Sequence, residues 1–79
     1  MSHEMVQHVL SLLESGVTPV FTLRVRKGKD CRVIRVIGSD AIRFHCVFAD
    51  SLKEEEFMLF HDSIKHGTFI LEEAEIINP

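Results

Sequence analysis

The chain has 79 residues, 46% of them apolar, with six Phe, no Trp or Tyr, and nine basic residues against twelve acidic ones for a formal charge of -3. A chain this short is one domain, residues 1–79, and it buries only about 60% of its unfolded surface, so its core is marginal. The apolar content excludes a disordered segment, and the acidic balance argues against phosphate binding by bulk charge.

In "SHEMVQHVLSLLESG", Met5, Val6, Val9, Leu10, Leu12 and Leu13 recur at spacings of three and four. That predicts an amphipathic helix over residues about 3–15, with Ser2 as N-cap and Gly16 as its stop. The start lacks the basic region of a secretory signal, and no apolar run approaches the roughly 18 residues of a membrane span. The expected location is therefore cytoplasmic.

From "VTPVFTLRVRK" the period changes to two. Phe21, Leu23 and Val25 alternate with Thr22, Arg24 and Arg26 behind Pro19, as in a half-buried strand. Gly28 supplies a turn, and "DCRVIRVI" is the second strand. Its adjacent pairs Val33–Ile34 and Val36–Ile37 require either a bulge or two covered faces. After "GSD" the alternation returns through Ile42, Phe44, Cys46 and Phe48. "ADSLKEEE" reads as a polar loop, "FMLFHDSI" as a fourth strand with its exit turn, and "TFILEEAEII" as a fifth strand. The expected fold class is mainly β with one N-terminal helix, its strands spanning residues about 18–72 of a small five-stranded, strongly bent antiparallel barrel. Cys31 and Cys46 stand in strand-like patterns with no zinc spacing and read as buried, reduced thiols.

In this order, helix, "TPV" lead-in, strand ending at Gly28, bent strand, Asp40-led third strand and "LFHDSI" before the last strand, the chain resembles the bacterial Hfq branch of the Sm-like (LSm) family. The likeness runs from Gln7 to Ile70. Phe60, His61, Asp62, Ser63 and Ile64 stand where the family has an aromatic-Lys-His segment with a small residue and Ile, and Ile42 stands where members stack a base on an aromatic ring. What the resemblance implies is a ring of identical subunits, about five to seven, in which the fourth strand of one copy pairs with the fifth of the next. It also implies single-stranded RNA as partner, uridine-rich around the pore on the helix face and adenine-rich on the opposite face. The RNA-binding residues expected on this basis include Asp40, Ile42, His61 and Asp62.

A second group comes from charge. Arg24, Arg26, Lys27 and Arg35 belong to a basic cluster confined to the first three strands, which a ring would repeat into a basic band. The alternative use of these residues is as solvated strand faces that discourage edge aggregation. No metal is expected, because His61, Asp62 and His66 lack a second ligand cluster, and no cofactor is expected. No catalytic motif is visible: there is no glycine-rich phosphate loop or nucleophile elbow, so the chain is read as a non-enzyme. Three functions are weighed: an RNA-binding Sm-like ring; a ring-shaped adaptor for a protein partner, using the acidic "DSLKEEE" loop and "LEEAEIINP" tail; and a monomeric SH3-like barrel.

Overall fold

A computed structural model describes residues 2–77, and side chains from His3 to Ala74. The chain runs α1 (Ser2–Glu14), β1 (Thr18–Val25), β2 (Cys31–Ser39), β3 (Arg43–Phe48), β4 (Glu56–Phe60), α2 (His61–Lys65) and β5 (Phe69–Ile77). The five strands form one antiparallel sheet in the order β4-β3-β2-β1-β5. One N-terminal helix before a five-stranded antiparallel sheet is the expected mainly-β architecture. The sheet differs from the expectation in being an open barrel: β4 and β5 are its two edges and do not pair with each other.

The helix forms for the reasons its periodicity indicates. Val6 and Val9 are buried, and Met5, Leu10, Leu12 and Leu13 pack around them against the sheet core. It ends in a Schellman motif, with Gly16 N–H donating to the Leu13 carbonyl (3.0 Å) and Val17 N–H to the Leu12 carbonyl (3.3 Å). Gly16 has φ +79°, the left-handed geometry that such an ending requires. Ser2 as a side-chain cap lies outside the described side chains.

The core is the inner face of the sheet: Phe21 and Leu23 of β1, Ile34 and Val36 of β2, Phe44 and Cys46 of β3, Leu59 of β4 and Leu71 of β5, closed by Ile64 of α2. Of the adjacent apolar pairs in β2, Val33–Ile34 stands in regular register with Val33 on the exposed face, and Val36–Ile37 is settled by a bulge. Val36 faces Cys46 and Gly38 faces His45, so Ile37 is the extra residue and lies outward. A second shift at Val20/Phe21 leaves Ala74 unpaired opposite β1. Bulges bend and twist a sheet, which lets five short strands curl around so small a core.

One expectation is corrected. Cys46 is buried, and burial pushes its thiol up to about 12, but Cys31 is exposed. It starts β2 and shares the outer face with Val33 and Arg35, so the apolar pattern did not include it. The exit turn expected after Phe60 is helical: Ile64 turns inward, His66 N–H donates to the Asp62 carbonyl (2.8 Å), and Gly67 takes φ +77°. Among the described residues no helix is long and apolar enough to cross a membrane.

Candidate functional site

The β2–β3 turn is built by one carboxylate. Asp40 Oδ1 accepts from the backbone N–H of Ile42 and of Arg43, both at 2.9 Å, and Oδ2 accepts from the Arg43 guanidinium (3.2 Å from Nε) and from His45 Nε2 (3.1 Å). The Ile42 and Arg43 amides, with the Arg43 charge, hold the Asp40 carboxyl down at about 2. So many donors leave this carboxylate committed to the turn, in the manner of an Asx turn.

Ser39 and His61 tie the turn to α2. Ser39 Oγ lies 2.9 Å from the Asp40 carbonyl oxygen, 3.1 Å from that of Arg43 and 3.0 Å from His61 Nε2. The hydroxyl has one proton for three neighbours, so the donor in the Ser39–His61 contact is set by the tautomer of the ring, and in either tautomer the contact ties the β2–β3 turn to α2. The His61 ring is 7% exposed and packs 4.3 Å from the Phe44 ring, and burial lowers its pKa below the ordinary value. His61 therefore packs toward the core from the first residue of α2.

Between this turn and α2 lies a surface pocket of about 420 Å³ lined by Ala41, Ile42, Phe60, His61, Asp62 and Lys65. Ile42 and Phe60 are apolar walls, 58% and 48% exposed. Asp62 is exposed and Lys65 half-buried on the same helical turn, three residues apart, which puts both on one side of α2. Among the described residues neither the Asp62 carboxylate nor the Lys65 ammonium has an ion-pair partner.

Four of the residues singled out from sequence thus converge: Ile42 and Asp62 line the pocket, and Asp40 and His61 hold its frame. The basic residues do not join them. Arg24 is the last residue but one of β1, and Arg26 and Lys27 are in the β1–β2 turn, at the opposite end of β2 from the pocket. Arg35 shares the outer sheet face with Arg24 but is ion-paired to Glu54 at 2.6 Å. The acidic β3–β4 loop also reaches Arg32, whose guanidinium donates to both oxygens of Asp50 (2.8 and 2.9 Å) while lying 4.2 Å over the Phe48 ring. That hydrogen bond is the leading reason the Asp50 carboxyl is held at about 2.

Ala41, Phe60 and Lys65 are the lining residues that sequence reasoning left out. For Lys65 the signal was available, as Asp62 and Lys65 are helix neighbours once the segment is read as helical. Comparison of the chain with family models, with curated proteins and with solved structures finds no match.

Proposed function

We infer that the chain is the subunit of a cytoplasmic, Sm-like homo-oligomeric ring of about five to seven copies that binds single-stranded RNA without catalytic chemistry. The observation that carries this reading is where the pocket sits. Phe60, one of its walls, is the last residue of β4, the open edge of the sheet. An open edge is a template for another strand, and the β5 edge of a second copy is the complementary one within this fold. Closing a ring through β4 and β5 repeats the pocket once per subunit, and repetition turns a weak single-base contact into useful affinity.

In this reading Ile42 and Phe60 receive a base, Asp62 and Lys65 supply its polar contacts, and Asp40 and His61 keep the two sides of the pocket in register. Arg24, Arg26 and Lys27, which have no ion-pair partner among the described residues, offer phosphate contacts on the far side of the sheet.

One observation favours a second reading, a ring-shaped adaptor for a protein partner. The β3–β4 loop already neutralises Arg32 and Arg35 and holds Leu52 fully exposed at its tip. Native mass spectrometry of the purified protein, alone and with short oligo(U), oligo(A) and mixed-sequence RNA, decides between them. A ring mass that gains an RNA strand, with affinity falling as salt rises, is the expected result. A ring that takes up no RNA supports the adaptor, and a monomer overturns both in favour of an SH3-like module.

A further inference from the structure

The pocket holds two opposite charges between apolar walls, and the four bases present different edges to such a pair. Uracil places carbonyl acceptors on both sides of its single ring N–H, so a carboxylate facing it meets two repelling oxygens. Adenine and cytosine each offer one amino donor beside a bare ring-nitrogen acceptor. Guanine alone offers two adjacent donors, N1–H and the N2 amino group, to the two oxygens of one carboxylate, with O6 next to them as an acceptor for a cation.

We propose that the Ile42–Phe60–Asp62–Lys65 pocket selects guanine in single-stranded RNA, a specificity that rests on the RNA-binding reading above. Asp62 accepts from N1–H and the N2 amino group, and Lys65 donates to O6. Phe60 supplies a π-face and Ile42 an apolar wall for the flat base. The volume, about 420 Å³, falls in the range of about 300–1,000 Å³ usual for small-ligand pockets. Both charged groups have no ion-pair partner among the described residues, so neither has to give up a salt bridge to engage the base. The Asp40 carboxylate of the neighbouring turn does not compete for the base, because its oxygens already accept from the Ile42 and Arg43 amides, the Arg43 guanidinium and His45.

The test is fluorescence anisotropy with labelled RNA hexamers alternating U with G, inosine, A, C or U, on the intact protein and on Asp62→Asn. Guanine is expected to bind on the order of tenfold tighter than adenine or uracil. Inosine, which lacks the N2 amino group, is expected in between. In Asp62→Asn one of the two acceptors becomes a donor, and the advantage of guanine over adenine and uracil is lost. Equal affinities, a preference for uracil, or a guanine preference that survives Asp62→Asn overturns the assignment while leaving RNA binding intact. Failure to bind any hexamer overturns the RNA reading itself and this specificity with it.

Discussion

Two residues show how a side chain's neighbours decide its use. His61 is buried and neutral, so above its ordinary value of 6.5 both the folded and the unfolded chain carry no charge there. As pH falls below that value the unfolded chain takes up a proton that the folded chain refuses, and stability declines. The thermal midpoint of the parent protein is therefore expected to drop between about pH 7 and pH 5 more than that of His61→Gln; equal drops in calorimetry would show that the imidazole is not held neutral. Asp40 and Asp50 work at a lower range. Both carboxyls are held at about 2 against an ordinary 3.8, so their stabilisation is complete above 3.8 and is lost as pH falls from there toward 2. Asp40→Asn is expected to lower the midpoint at neutral pH and flatten this acid limb, followed by circular dichroism across an acid titration. Asp40 stands among the RNA contacts expected from sequence, and in the fold its carboxylate is taken up by the β2–β3 turn. His61 was singled out as an RNA contact, and only the fold shows its ring against Phe44 and Ser39.

At the scale of elements, the helix was legible because its apolar spacing and its glycine stop agree. Gly16→Ala puts a Cβ in open space but at φ +79°, and the left-handed backbone alone is expected to cost about 1 kcal/mol, measurable by urea denaturation. Phe44, fully buried between the sheet and α2, is the costlier site: Phe44→Ala is expected to lose about 3–5 kcal/mol, enough to unfold much of a domain with so small a core. That the exit turn after Phe60 is helical is not legible in the sequence, because "HDSIK" is too brief for a period to declare itself. Ile64 enters the core and Gly67 ends the turn, and together these close the segment as a helix. The bulge at Ile37 has a similar origin, since two adjacent apolar residues are compatible with a bulge or with two covered faces until the partner strand is known.

For the molecule as a whole, the question is what covers the two open edges. The Phe48 N–H to Glu55 carbonyl bond (3.0 Å) and the His61 N–H to Ile42 carbonyl bond (2.9 Å) bracket the β3–β4 ladder. The alternation of an antiparallel pair then turns the backbone groups of Glu56, Met58 and Phe60 away from β3, toward the open side. Met58→Pro removes a donor from that side and leaves the β3 ladder untouched. If β4 receives the β5 edge of a neighbouring copy, this variant is expected to run as a folded monomer in size-exclusion chromatography with light scattering, where the parent runs as a ring. A variant that still assembles would place the subunit contact elsewhere.

The sequence by itself determined the helix, the strand count, the turn at Asp40 and the glycine stops, because each depends on local spacing and on the conformational limits of a few residue types. The tertiary structure decided which charges are spent and which remain available. Arg32, Arg35 and Arg43 find acidic partners across strands and loops, whereas Asp62 and Lys65 meet Ile42 and Phe60 at a shared pocket. Charge pairing and pocket shape depend on strand register and on contacts between residues distant in the chain, and a local pattern carries neither.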